Sequence, residues 1–275
     1  MKRHFTYIIL LLVLIVGLSL LLYPPLSNWW NSMHQSRAVA SYVEQVANID
    51  KEQYAHLWDD AWNYNRDLTE RPNNYVLSEE QKALYDSLLD VGGTGIMGYV
   101  EIPSIGVTLP IYHGTNETVL QIAVGHLEWT SLPVGGESSH CVVSGHRGLP
   151  SAKLFTDLDE LVIGDIFMFR VLDEILTYEV DQILIVEPDE TDALLVEEGQ
   201  DLCTLITCTP YGVNSHRLLV RGHRVENQEV AQTVRVTADA MQIEPAIVAP
   251  ILAIPMLLVL LIILLIPRRT RRRPD

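Results

Sequence analysis

The chain has 275 residues and a formal net charge of −16 at pH 7, because 35 acidic residues outnumber 19 Lys and Arg. So acidic a chain is disfavoured as a nucleic-acid-binding protein, and its length allows one ordinary domain plus extensions. Three cysteines without a Cys-x-x-Cys spacing argue against a disulfide framework and indicate no metal site, so the core must come from apolar packing.

Two apolar stretches, residues 7–23 and 246–266, are each close to the roughly 20 residues of a membrane-spanning helix. Lys2 and Arg3 precede the first stretch, and a run of arginines follows the second: Arg268, Arg269, Arg271, Arg272 and Arg273. Since positive residues favour the cytoplasmic side, we expect both termini in the cytoplasm and the region between the stretches outside the cell. The pattern predicts a cell-membrane protein that crosses the lipid bilayer twice.

A cleaved signal peptide is the alternative interpretation of the first stretch. Its apolar run is longer than the usual core of roughly 7–15 residues, and its end at Tyr23-Pro24-Pro25 is a poor cleavage site, so a retained anchor is favoured. The predicted order begins with a cytoplasmic start (residues 1–6), an anchor (7–23), an extracellular helical extension (24–95) and a β domain (96–226). A linker (227–245), a second membrane helix (246–266) and a basic cytoplasmic tail (267–275) follow.

The extension contains several helical patterns. Residues 24–31, with two tryptophans, suit the membrane edge, and apolar spacing predicts a helix over 37–48. Capping boxes at Asp50 and Ser78, each with a glutamine three residues later, open two further helices. The first of these has an apolar stripe that indicates packing on the following domain: Tyr54, Leu57, Trp58, Ala61 and Trp62.

Short β-rich segments separated by turn residues fill the region after residue 95. They are residues 97–102, 107–112, 140–144, 166–172, 175–187, 202–208 and 218–225, with a hairpin turn expected at Asp173-Glu174. Seven or eight short strands with brief helices predict a mainly β fold, a closed barrel rather than βαβ units.

A cysteine stands at the end of one of these strands. The β-branched run 204–207 ends on Cys208, a loop rich in Pro, Gly and Asn follows, and the next β-rich run begins after Arg217. A thiol at a strand end can face a cleft, and a nearby cation can stabilise its thiolate or an oxyanion. The alternative is a buried, inert thiol. The pattern favours Cys208 as a nucleophile and Arg217 as its cation.

The base that such a nucleophile needs is offered by Ser144-Gly145-His146-Arg147-Gly148. An imidazole titrates near physiological pH, and His146 follows an apolar run in a glycine-flanked loop, which favours it as the acid/base. Thr207 and Ser144 are candidate substrate-binding residues. The other histidines of the β domain are interpreted as structural, or as supporting the site without contacting the substrate: His113, His126, His140, His216 and His223.

Several ordered motifs resemble those of one family. Thr204-Leu205-Ile206-Thr207-Cys208 is similar to the sequence around the nucleophile of sortases, the cysteine transpeptidases of Gram-positive cell surfaces. The resemblance runs from about Met97 to Val225 and includes residues 109–115, 125–127, 130–136, 144–150 and 207–214. Together these motifs resemble class C, the pilin-polymerising sortases. The resemblance implies the sortase β-barrel and assigns the same roles to Cys208, His146 and Arg217.

The reaction that this resemblance implies is a two-step acyl transfer without a cofactor. Cys208 attacks the Thr–Gly amide of an LPxTG-like sorting signal, a thioester forms, and His146 protonates the departing glycine amine. In class C the acceptor is a lysine ε-amine of another pilin subunit. The residues alone support a thiol acyl transferase.

Three other functions remain open on the sequence. One is a housekeeping sortase that anchors surface proteins to the cell-wall precursor, which would use the same Cys-His-Arg set. The others are a secreted cysteine protease and a non-enzymatic adhesin on a sortase-like barrel. The second apolar stretch and the loop 209–214 favour class C, and the intact catalytic set argues against an adhesin.

Class C sortases commonly carry a lid over the cysteine, with an Asp-Pro-aromatic motif before the barrel. At the matching place this chain reads Asn74-Tyr75-Val76-Leu77, which lacks Asp-Pro. Either Tyr75 or Leu77 therefore covers the groove, or the lid is absent.

The two remaining cysteines have matched positions. Cys141 lies five residues before His146, and Cys203 lies five before Cys208. If the two strands are aligned parallel neighbours, as the resemblance implies, these cysteines are level and point away from the catalytic face. We expect two buried thiols rather than a disulfide.

Overall fold

The computed structural model describes residues 2–69 and 76–227. Tyr75, the predicted linker beyond Asn227, the second apolar stretch and the basic tail lie outside these residues. The apolar beginning of the first helix belongs to one compact unit, and the region from Trp30 onward belongs to another.

The first helix, α1, extends over Lys2–Ala47 and contains Pro24 and Pro25. From Phe5 it is long and apolar enough to cross a membrane, a property that a signal sequence shares. The sequence assigned residues 24–31 to the membrane edge and predicted a separate helix over 37–48, whereas the structure has one continuous helix through both stretches. A proline lacks the backbone N–H that would donate a hydrogen bond within the helix, yet the helix continues past Pro24 and Pro25.

Two shorter helices follow, α2 (Lys51–Thr69) and α3 (Glu79–Ser87). Both begin at the predicted caps: Asp50 accepts a hydrogen bond from the Gln53 amide, and Ser78 and Gln81 form a complete capping box. Buried side chains of these helices belong to the main hydrophobic core, including Ala61, Tyr64 and Tyr85. The helical extension therefore packs on the β domain, as its apolar stripe predicted.

The β domain is the expected closed barrel, here of eight strands. They are β1 (Ile96–Ile102), β2 (Val107–His113), β3 (Val124–His126), β4 (Ser139–Ser144), β5 (Ile166–Val171), β6 (Glu174–Val186), β7 (Asp201–Thr209) and β8 (His216–Val225). Their order around the barrel is β1-β2-β3-β4-β7-β8-β6-β5. A short helix, α4 (Glu117–Leu120), and three 3₁₀ turns, Pro103–Ile105, Leu158–Glu160 and Asp192–Leu194, lie in the connections.

Two local features differ from the sequence prediction. The strand β3 was missed, because three residues that include Gly125 give no alternating pattern. The β5–β6 hairpin turns at Leu172-Asp173, one residue earlier than expected, and Leu172 adopts a φ of 53°. Leucine rarely adopts a left-handed conformation, so the sequence did not indicate a turn at this residue.

The two faces of β7 have different surroundings. Cys203 and Leu205 belong to the main core inside the barrel, whereas Ile206 belongs to a smaller apolar cluster with Val142, Leu194 and Leu219. Because strand side chains alternate, Cys208 shares the outer face with Ile206. The candidate site therefore lies outside the barrel wall.

The strand alignment that the family resemblance implied is confirmed, and so is the level position of the two cysteines predicted from it. β4 and β7 are parallel neighbours, and Cys141 is the register partner of Cys203. Both are buried free thiols, as expected, while Cys208 is half-buried.

Candidate active site

Cys208 and Arg217 are register partners on the antiparallel strands β7 and β8. Residues directly opposite in such a pair have Cβ atoms about 5 Å apart on the same face. Both residues are half-buried. The Arg217 guanidinium donates hydrogen bonds to the carbonyl oxygens of His216 (3.1 Å) and Asn214 (3.4 Å). A fixed cation is thus held beside the thiol by the loop that joins the two strands.

His146 lies in the loop that follows β4, and this loop is bound to the end of β7. The Gly145 amide donates to the carbonyl oxygen of Ile206 at 3.0 Å, and the Thr207 hydroxyl donates to the carbonyl oxygen of Gly145 at 2.8 Å. Ser144 is the register partner of Ile206, so His146 and Cys208 each lie two residues beyond the last pair of these parallel strands. This arrangement brings the two residues to the same end of the barrel wall.

Glycine is required at position 145 for this approach. A Cβ atom there would lie 2.8 Å from a ring carbon of Phe155 and 2.9 Å from a methyl carbon of Val124. The Phe155 amide also donates to the carbonyl oxygen of His146 at 3.1 Å. The loop backbone is therefore held from both sides.

The two predicted substrate-binding residues lie beside this loop. Thr207 is buried, and its hydroxyl already binds the carbonyl oxygen of Gly145, so it positions the loop. Ser144 is half-buried at the last position of β4.

Of the two predicted lid residues, only Leu77 is among the described residues. It is half-buried and packs against the main core, while the neighbouring Val76 is exposed. The lid therefore stays a prediction.

Two residues that sequence reasoning missed join the loop of His146 to the loop after Cys208. The Arg147 side chain forms an ion pair with Asp159, and its guanidinium lies over the ring of Tyr211. Tyr211 also packs on Gly148, where a Cβ atom would lie 2.9 Å from the ring. The sequence carried no signal for this contact, because the partners are more than 60 residues apart.

A third residue missed from the sequence is Glu117, at the start of α4. Its Oε2 atom lies 3.9 Å from His146 Nε2, and its side chain is 73% exposed. The other carboxylate oxygen accepts a hydrogen bond from the side-chain amide of Gln121. An acidic group therefore stands next to the candidate acid/base.

Three other histidines are bonded within the protein. His140 has Nδ1 at 2.8 Å from the carbonyl oxygen of Leu195 and Nε2 at 2.8 Å from the Thr204 hydroxyl. His113 contacts the carbonyl oxygens of Gly95 and Leu88. Burial lowers the pKa of both His113 and His140. His126 Nδ1 lies 2.9 Å from the Tyr85 hydroxyl.

Within the described part of the chain, no three His, Cys, Asp or Glu side chains are placed to hold a metal ion.

Comparisons with known proteins agree with this geometry. The sortase domain family matches residues 100–225, which include β2 to β8. The solved structure of sortase C1 from Streptococcus agalactiae is 48% identical, covers 70% of this chain and 100% of its own, and has a TM-score of 0.68. The chain belongs to the sortase family.

Two further relatives of this sortase are informative. The crystal structure of sortase C from Streptococcus pneumoniae, described in relation to its catalysis and pilin substrate specificity, is 43% identical. It covers 69% of this chain and 96% of its own, with a TM-score of 0.61. Sortase D of Bacillus subtilis is 32% identical over 131 residues, which are 46% of this chain and 63% of that protein. The solved neighbours are class C sortases, and the protein is a sortase-type cysteine transpeptidase.

Proposed function

We propose that this sortase cleaves an LPxTG-like sorting signal through a thioester on Cys208 and transfers the acyl group to a lysine amine of a pilin, building covalent pili. The observation that carries the proposal is the register pairing of Cys208 with Arg217, next to a loop that holds His146 at the same end of the barrel wall. Thiol, imidazole and guanidinium are the three groups that this acyl transfer needs.

Each group has a chemical role in the proposed reaction. The Cys208 thiolate attacks the carbonyl carbon of the Thr–Gly bond, and a tetrahedral oxyanion forms. Arg217 stabilises that charge, because a guanidinium stays ionised and donates through a planar fork. His146 protonates the departing glycine amine, which leaves the thioester on Cys208.

The proposal also names the amine that accepts the acyl group. The similarity to the S. pneumoniae sortase C, whose described substrate is a pilin, supports a pilin lysine. The sequence of the loop 209–214, which resembles the corresponding loop of class C sortases, also supports this acceptor. A cell-wall precursor amine is the acceptor that a housekeeping sortase would use instead.

Membrane attachment is also proposed. The apolar part of α1 supports an N-terminal anchor. A second span at 246–266, followed by the arginine-rich tail, would leave both termini in the cytoplasm and the catalytic domain outside.

The test uses the full chain in lipid nanodiscs with an LPxTG peptide and two acceptors, a lysine-bearing pilin domain and a cell-wall precursor amine. We expect an amide product with the pilin domain, identified by mass spectrometry. Cys208→Ala should form neither thioester nor product, while Cys141→Ala and Cys203→Ala should retain the chemistry. Product only with the precursor would identify a housekeeping enzyme, and free acid alone would identify a protease.

A further inference from the structure

The carboxylate of Glu117 and the imidazole of His146 face each other across a short gap. The distance of 3.9 Å between Oε2 and Nε2 exceeds the 2.7–3.2 Å of a hydrogen bond, so the two atoms are near but not bonded. The side-chain amide of Gln121 donates a hydrogen bond to the other carboxylate oxygen and thereby orients the Glu117 carboxylate. The Glu117 side chain is 73% exposed and the His146 side chain 28%, so solvent reaches both.

A gap of this size fits one nitrogen atom. A tetrahedral nitrogen at about 2.8–3.0 Å from both Oε2 and Nε2 can donate a hydrogen bond to each. A primary ammonium is such a group, and its positive charge complements the carboxylate. The neighbouring cations have other partners: Arg147 pairs with Asp159, and Arg217 donates to backbone carbonyl oxygens.

An amine acceptor meets a specific difficulty in this reaction. A lysine side chain has a pKa of about 10.4, so it arrives protonated and cannot attack a carbonyl until it loses a proton. Water, the competing nucleophile, arrives uncharged. A site that binds the ammonium next to a proton acceptor would favour the amine over water.

We propose that Glu117 is the acceptor-binding residue of this sortase and holds the incoming lysine ammonium against His146. The inference rests on the proposed function. Neutral His146 takes one proton from the ammonium, and the amine attacks the carbonyl carbon of the thioester. The C–N bond forms as the C–S bond breaks, the sulfur of Cys208 leaves with the electron pair, and the second nitrogen proton passes to that sulfur.

The test compares a charged and an uncharged acceptor in the full-length protein. The variant Glu117→Gln keeps the size of the side chain and removes its charge. With an LPxTG peptide as donor, the acceptors are Nα-acetyl-lysine amide, a cation at neutral pH, and hydroxylamine, which is uncharged there. The readout is the ratio of amide or hydroxamate product to free acid, which normalises for the amount of thioester formed.

We expect Glu117→Gln to lower the lysine product ratio about three- to five-fold, the range of a partly exposed ion pair, and to leave the hydroxylamine ratio unchanged. Glu187→Gln is the matched control, since Glu187 is an exposed carboxylate 3.2 Å from another histidine, His216, and its variant should behave as wild type with both acceptors.

An unchanged lysine ratio in Glu117→Gln would overturn the inference, and so would an equal fall with both acceptors, which would mean that Glu117 acts only through His146. These results leave the proposed function intact. If wild-type protein gives thioester but no product with either acceptor, the proposed function fails together with the inference.

Discussion

The guanidinium carbon of Arg147 lies 5.8 Å from the centre of the Tyr211 ring. Arg147 follows the candidate acid/base His146, and Tyr211 lies three residues after Cys208. The contact therefore joins the loop of the imidazole to the loop after the nucleophile. Tyr211 is 61% exposed, so little else covers this junction.

We expect Tyr211→Ala to lower kcat by about five- to ten-fold, because loss of a cation–π contact and of packing on Gly148 frees the His146 loop. Tyr211→Phe keeps the ring and should retain most activity. Steady-state kinetics with an LPxTG peptide separates kcat from KM. Equal loss in both variants would assign the effect to the hydroxyl rather than to the ring.

Arg217→Lys should reduce kcat/KM on the order of 100-fold while the fold survives, since lysine keeps the charge but loses the planar fork that stabilises an oxyanion. Peptide cleavage measures the activity, and circular dichroism checks the fold. Near wild-type turnover in the lysine variant would show that a nearby charge is sufficient.

Cys141 and Cys203 should resist alkylation in the native protein. Both are buried, so the reagent cannot reach either sulfur, and burial together with the hydrogen bond to Cys141 also raises the pKa of the Cys203 thiol. Iodoacetamide should label only Cys208 before unfolding and all three cysteines after unfolding without reductant. A single label in the unreduced, unfolded chain would reveal a disulfide and contradict the two buried thiols.

Acid should destabilise the protein through its buried histidines. The pKa of His140 is lowered by burial from the usual 6.5, so below that pH the unfolded chain binds more protons than the folded one. The free energy of unfolding should therefore be highest above pH 6.5 and fall until the pH reaches the lowered folded pKa. Thermal melting as a function of pH measures this.

His140→Asn should weaken that pH dependence and cost about 1–3 kcal/mol of stability through its two lost hydrogen bonds. His113, whose pKa burial also lowers, should account for much of the remaining slope. His216→Asn, at a half-buried histidine, is the control. An unaltered slope in His140→Asn would mean that other groups bind the protons.

Local sequence patterns were sufficient to predict most of the strands and the starts of two helices. Short β-rich segments separated by turn residues predicted seven of the eight strands, and the caps at Asp50 and Ser78 predicted where α2 and α3 begin. Cys141 and Cys203 lie equally far before His146 and Cys208, and together with the parallel strands that the family resemblance implied, this spacing predicted their register. The position of Cys208 at a strand end, with Arg217 at the start of the next strand, indicated a nucleophile and its cation.

Contacts between residues far apart in the chain could be identified only in the folded protein. The short strand β3 is completed by pairing with β2 and β4 rather than by its own pattern. The contact of Arg147 with Tyr211 and the approach of Glu117 to His146 join residues far apart in the chain. Side-chain alternation within a strand shows which face of the sheet a residue occupies. Which loops come together depends on how all eight strands pair around the closed barrel, and no single segment of the sequence specifies that pairing.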